Sequence, residues 1–376
     1  MNTPPYARPH RILLCVTGIS PAIVTEMLYA LITQNPPFIP DEIHVVTTLV
    51  GKRKVVNELL APHHGAFHRL LQEYLPATTI RFDEGTIHVI QQDGEALEDI
   101  TTDSENKAAA NSCYKVMRDL KNAKPNTHIH ASVAGGRKSM SFYMGHAFSL
   151  LAEPQDILSH VLVTEPFERV KNFYYPPKTP VELDNQGKMV NTKYADIKLA
   201  ELSVLKLGHI LGKELPKKAQ EDFDFAVKIA QATFSAPLMK VVFNREKKKG
   251  HLEVCGEIIK LSPLEFSAFA VHAIVKSNSN TLIDFSNLGK DLNQFIENQI
   301  EKNCDQKEGF TPVYSKINKK LREMVGSVAQ HFTIDAVGDR VKGANRPTQL
   351  KAPAECLVLE GLDHWWERLK PNLHLP

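Results

Sequence analysis

Two short stretches of this chain bring together the groups that handle a phosphate. The first, Thr17-Gly18-Ile19-Ser20-Pro21, follows an apolar run at 12–16 and precedes a helical pattern at 22–33. Gly18 lets main chain approach a ligand, and Thr17 and Ser20 bring hydroxyls. The helix that the turn opens offers N–H groups with no intrahelical acceptor. The second stretch is Ala134-Gly135-Gly136-Arg137-Lys138-Ser139, between an extended run ending at Val133 and a helical pattern starting at Met140. Here close main-chain approach, two cations and a helix N-terminus coincide. Together the two stretches describe a site for a phosphodiester. No His, Cys, Asp or Glu cluster with ligand spacing accompanies them, so neither a metal nor a cofactor is expected. Neither stretch is a Walker A or GxGxxG motif. Each also has a plainer reading, Ser20 as a helix N-cap and the Gly-Gly pair with its cations as a solvated turn. Most of His63, His64, His128, His130 and His146 read more simply as turn or strand residues, and none is taken as a metal ligand.

The elements that must carry these loops alternate. Strands are expected at 12–16, 43–48, 87–90, 128–133 and 160–163, and helices at 22–33, 55–74, 103–121 and 140–151. That alternation predicts an α/β fold with a Rossmann-like, doubly wound, mostly parallel sheet. In such sheets ligands sit at the carboxyl ends of the strands, where both loops fall. Pro176, Pro177 and Pro180 break the pattern, so the first domain is expected to span 11–180. Residues 181–239 read as a helical connector, with an apolar stripe of Leu199, Leu202, Leu205 and Leu207. From 240 the texture changes to a hairpin around Lys247-Lys248-Lys249-Gly250. Ser262, Pro263 and Glu265 then supply an N-cap, a first-turn proline and an N3 acid, which start a helix. A smaller α+β domain over 240–350 and a tail over 351–376 complete the expected organisation.

Bulk properties agree. The chain has 376 residues, room for about two domains of ordinary size, with 43% hydrophobic and 23% charged residues. The first apolar run is too short for a signal peptide and no run is long enough to span a membrane, so a cytoplasmic protein is expected. Five scattered cysteines without a CxxC pair argue against a disulfide framework or a zinc site. A net charge of +2 is compatible with an anionic partner without requiring one.

Over residues 11–177, the stretches LLCVTGISPAIVTEMLYAL, EIHVVTT, SVAGGRKSMSFYMGHAFSLL and SHVLVTEPFERVKNFYYPP resemble the CARF superfamily of CRISPR-associated proteins. Within it they resemble the family whose relatives include ring nucleases of cyclic tetra-adenylate. The resemblance implies a homodimer with the cyclic oligonucleotide across its two-fold axis. It also implies catalytic roles for Ser20 and Lys138, with Arg137 at the adjacent basic position and Thr47 and Thr48 beside the ligand. In the first loop Thr17, Gly18, Ile19 and Pro21 would accompany Ser20, and in the second Ala134, Gly135, Gly136 and Ser139. Each RNA linkage carries its own nucleophile, the 2′-hydroxyl, so cleavage needs in-line placement and stabilisation of developing charge. Lys138 would stabilise that charge and Ser20 would orient the ribose or phosphate, leaving linear oligoadenylate with a 2′,3′-cyclic phosphate. No general base is evident, which predicts slow turnover.

GEIIKLSPLEFSAFAVHAIV, TPVYSKINKKLREMVG and FTIDAVGDRVKG resemble the winged-helix DNA-binding domains of response regulators. The resemblance places Lys316, Lys319, Lys320 and Arg322 on a recognition helix at 313–324, and Arg340 and Lys342 in a wing. It suggests an alternative, a regulator that responds to cyclic oligoadenylate and binds DNA. The acidic insertion at 284–309 is longer than in that family and weighs against groove reading. Arg245 and His251 match the spacing of a HEPN ribonuclease pair, but they lie across a hairpin turn rather than on a helix.

Overall fold

The computed structural model describes residues 9–124, 126–211, 215–279, 310–337 and 347–372. It divides into two compact units, Met1–Gly212 and Lys213–Pro376. The first unit is built on β1 (His10–Val16), α1 (Ala22–Thr33), β2 (Glu42–Thr47), α2 (Leu49–Glu58), α3 (Ala66–Tyr74) and β3 (Ile87–Val89). A small hairpin, β4 (Gln91–Gln92) and β5 (Glu95–Ala96), leads to α4 (Asp103–Ala123), β6 (Thr127–Ser132), α5 (Lys138–Leu151) and β7 (Ile157–Val163). A second hairpin, β8 (Glu182–Asn185) with β9 (Lys188–Asn191), precedes β10 (Ile197–Glu201).

The main sheet has the order β10-β7-β6-β1-β2-β3, parallel throughout except for β10, which runs antiparallel to β7. Residues 12–16 of β1 are buried on both faces, as a central parallel strand requires. Leu13, Cys15, Ile43 and Val45 pack with Val24, Met27, Leu28, Phe67 and Leu70, so α1 and α3 cover one face. α4 and α5 pack on each other and on β1, β2 and β6, covering the other face. From β1 the chain moves to β2 and β3 on one side and returns through α4 to β6 on the opposite side. The gap between the ends of β1 and β6 is therefore the sheet's topological switch point.

Several elements depart from the sequence reading. The single helix expected at 55–74 is two, because Pro62 lacks an N–H and His63 adopts a positive φ of 66°. At Gly65 any Cβ would stand 2.2 Å from the Leu59 carbonyl oxygen. The helix starts six residues early, at Leu49, and Thr48 is its N-cap rather than the end of a strand, accepting the Gly51 N–H at 3.3 Å. Residues 197–201, expected in a helical connector, form strand β10 instead. Their contribution to the sheet outweighs the local leucine stripe.

The single turn α6 (Gly208–Leu211) closes the first unit, and the second begins with α7 (Phe223–Phe234) and the strands β11 (Met239–Asn244), β12 (Lys249–Val254) and β13 (Glu257–Lys260). α8 (Pro263–Asn278) follows, with a capping box between Ser262 and Glu265 and proline in the first turn, as expected. α9 (Thr311–Val325), β14 (Ile334–Ala336), β15 (Thr348–Leu350), β16 (Leu357–Glu360) and α10 (Asp363–Leu369) complete the unit. Its sheet has the order β13-β12-β11-β16, and β14 pairs with β15 separately. The insertion at 284–309 and the wing residues Arg340 and Lys342 lie outside the described residues.

Candidate functional site

Register sets the site. Cys15 of β1 is level with Ser132 of β6, so the two strands deliver their loops side by side. The loops then pack main chain against main chain. A Cβ on Gly18 would come within 3.1 Å of Gly136 Cα. Gly135 and Gly136 hold φ values of 98° and 73°, conformations that favour glycine. The start of α2 joins them from β2, where a Cβ on Gly51 would stand 1.9 Å from Thr47 Oγ1 and 2.8 Å from the Gly18 carbonyl oxygen. Small residues at three places thus draw the two loops and the first turn of α2 into one floor.

Hydroxyls lock that floor, two of them buried. Thr47 Oγ1 donates to the Thr17 carbonyl at 2.7 Å, and Thr17 Oγ1 donates to the Ser20 carbonyl at 2.7 Å. Ser141 Oγ donates to the Gly135 carbonyl at 3.1 Å. Thr17, Pro21, Thr47 and Ala134, expected beside a ligand, are buried; their side chains build the loops from beneath. Ser20 is exposed, and α1 is capped at Pro21 with no side-chain hydrogen bond, so Ser20 is not the helix cap.

Above the floor opens a cavity of about 880 Å³. Of the expected residues, Gly18, Ile19, Ser20, Thr48, Gly135, Gly136, Arg137, Lys138 and Ser139 line it. Lys138 is exposed in the first turn of α5, which starts two residues earlier than the sequence reading placed it. Val50, Asp99 and Met140 also line the cavity and were not anticipated. Met140 Sδ lies 2.9 Å from where a Gly136 Cβ would be, so it supports the second loop from below. Asp99 follows the β4–β5 hairpin and forms a two-pronged ion pair with Arg137, one arm of which is Nε to Oδ1 at 3.1 Å. Ile100 N–H also donates to Asp99 Oδ1, at 2.8 Å. The Arg137 guanidinium and that N–H hold the Asp99 carboxyl below its ordinary range. Arg137 is raised in turn by its bonds to Asp99. Asp99 lies in a loop whose local sequence carries no motif, and only the fold brings it to the second loop.

Two fixed cations, main chain in unusual conformations and the start of a helix can bind an anion with oxygens spread over several ångströms. Asp99 is the one carboxylate among the lining residues, and its pairing makes it a weak base. Among the described residues, no group of three or more His, Cys, Asp or Glu side chains could hold a metal ion. No helix there is long and apolar enough to cross a membrane.

In the second unit, α9 buries Val313, Ile317 and Leu321 and exposes Lys316, Lys319 and Arg322. Lys320 is drawn toward α8, where its Nζ lies 2.6 Å from Glu265 Oε2. Arg245 pairs with Asp363 and His251 with Glu253.

The fold and this pocket define a Rossmann-like α/β protein with a basic site at the carboxyl edge of a largely parallel sheet. The family model for CRISPR-associated protein NE0113 (Cas_NE0113) matches residues 20–235, more than half of the 376-residue chain. The chain belongs to that CRISPR-associated family. No curated protein matches it.

Proposed function

We propose that the chain is a CARF-type ring nuclease that binds cyclic tetra-adenylate in this pocket and cleaves it slowly without a metal. The observation that carries the reading is the convergence of Ser20, exposed and not a helix cap, and an exposed Lys138 on one main-chain floor at the sheet's switch point. The N–H groups at Gly136 and in the first turn of α5 hold nonbridging oxygens, and Lys138 stabilises the charge that develops as a ribose 2′-oxygen attacks its own phosphorus. The P–O bond to the neighbouring 5′-oxygen breaks, the 2′-proton is lost to water and the departing oxygen takes one from water, leaving a 2′,3′-cyclic phosphate and a 5′-hydroxyl. Ser20 orients the ribose. No histidine is among the residues that line the pocket and their one carboxylate, Asp99, is a weak base, in keeping with slow turnover. Incubation with cyclic tri-, tetra- and hexa-adenylate in EDTA tests this. Linear products from the four-membered ring support it, and strict dependence on added Mg²⁺ or Mn²⁺ rejects it.

The exposed Lys316, Lys319 and Arg322 on α9 favour a second reading, in which a winged helix binds DNA and the first unit senses the messenger. Salt-sensitive, sequence-selective gel shifts altered by cyclic tetra-adenylate would support that reading. Absence of binding at low salt would reject it.

A further inference from the structure

The segment between the β4–β5 hairpin and α4 is held to two different parts of the site. Leu97 accepts the N–H of Leu49 at 2.8 Å, and Glu98 forms a two-pronged pair with Arg53 of α2, one arm at 3.2 Å. The next residue, Asp99, reaches Arg137 beside the second loop. Residues 97–99 therefore run as a strap from the β2 side of the pocket to the β6 side. They place a carboxylate on the guanidinium that a bound phosphate would use.

We propose that Asp99 is a resident competitor for the anion position at Arg137, and so a specificity-determining residue of the pocket. This rests on reading the pocket as an anion site, but not on the anion being a cyclic nucleotide. A phosphodiester presents two nonbridging oxygens to the guanidinium fork, as the Asp99 carboxylate does, so one can replace the other without moving Arg137. The resident pair is half exposed, with side chains 53% and 49% accessible, and such pairs contribute little to stability. A ligand that also engages Lys138 and the glycine floor can displace Asp99, whereas an anion that meets Arg137 alone gains almost nothing by exchange. When the exchange occurs the strap loses its hold on the β6 side and keeps the one at Arg53.

Inorganic pyrophosphate titrated calorimetrically into the full chain tests the proposal independently of any ring. Asp99→Asn should tighten pyrophosphate binding by about two- to fivefold, the equivalent of losing a surface ion pair. Glu98→Gln removes the same charge one residue away but leaves Arg137 occupied, so it should leave affinity unchanged. In the wild type, saturating pyrophosphate should speed amide exchange across 97–101. No tightening in Asp99→Asn would overturn the proposal. Equal tightening in Glu98→Gln would also overturn it, because the effect would then be one of general charge. So would unchanged or slower exchange of the strap. A protein that shows the Asp99 effect but neither binds nor cleaves cyclic tetra-adenylate would refute the ring nuclease reading and leave this one standing.

Discussion

Lys138 and Ser20 make separable contributions to the proposed chemistry. Lys138 supplies charge where charge develops, so Lys138→Ala should slow ring cleavage by about 10² or more in single-turnover assays, with little effect on thermal stability. Wild-type rates in that variant would remove it from the mechanism. Ser20 neither caps a helix nor fills a core, and Ser20→Ala should lower the rate without changing the melting temperature. An N-cap serine would behave oppositely, losing about 1 kcal/mol of stability on conversion to alanine. Comparing the two effects in one variant therefore tells a positioning hydroxyl from a structural one.

At the scale of elements, the loops are only as well placed as the strands and glycines beneath them. Gly51→Ala puts a methyl group into Thr47 and the Gly18 carbonyl. It should cost about 1–3 kcal/mol as overpacking does, and weaken ligand binding by shifting the first loop; chemical denaturation with ring titration would measure both. The strands make a pH prediction of their own. His130 on β6 is buried, with Nε2 2.7 Å from Ser159 Oγ and Nδ1 without a hydrogen-bond partner. Burial pushes its pKa down from 6.5 to about 4. Between those values the unfolded chain binds the proton that the folded chain refuses. This stability is therefore complete above pH 6.5, falls as pH drops toward 4, and amounts to about 3 kcal/mol. Urea midpoints measured from pH 7 to 4 should decline over that window, and more shallowly in His130→Asn. An equal slope in the variant would show that His130 does not carry the effect.

The same elements show what could be read from sequence. β1, α1 and the run from β6 into α5 were legible because each joins a strong apolar pattern to glycines or a proline at its end. β10 was not, since leucines at 199, 202, 205 and 207 match helical spacing, and only pairing with β7 makes residues 197–201 extended. Asp99 was hidden for a related reason. Its role depends on meeting Arg137, which is 38 residues away along the chain.

For the molecule as a whole, the proposed ligand has internal two-fold symmetry and the first unit presents the basic pocket at its switch point. A C2 dimer would offer the same loops twice, and two linked half-sites gain effective concentration that one lacks. Light scattering after size exclusion should show a dimer without ligand, and calorimetry one cyclic tetra-adenylate per two chains. A tight complex of one ring with one chain would contradict a shared central site.

The floor of the pocket consists of peptide groups, brought together by Gly18, Gly51, Gly135 and Gly136 rather than by reactive side chains. Replacing an amino acid can delete a hydroxyl or an ammonium, but the main-chain N–H survives almost every replacement. Mutational drift can therefore alter what the pocket prefers mainly at its rim, through Ile19, Val50 and Asp99, while a glycine changed in the floor endangers the loops themselves. Variants selected for a different ligand should accordingly accumulate changes at those rim positions and keep all four glycines.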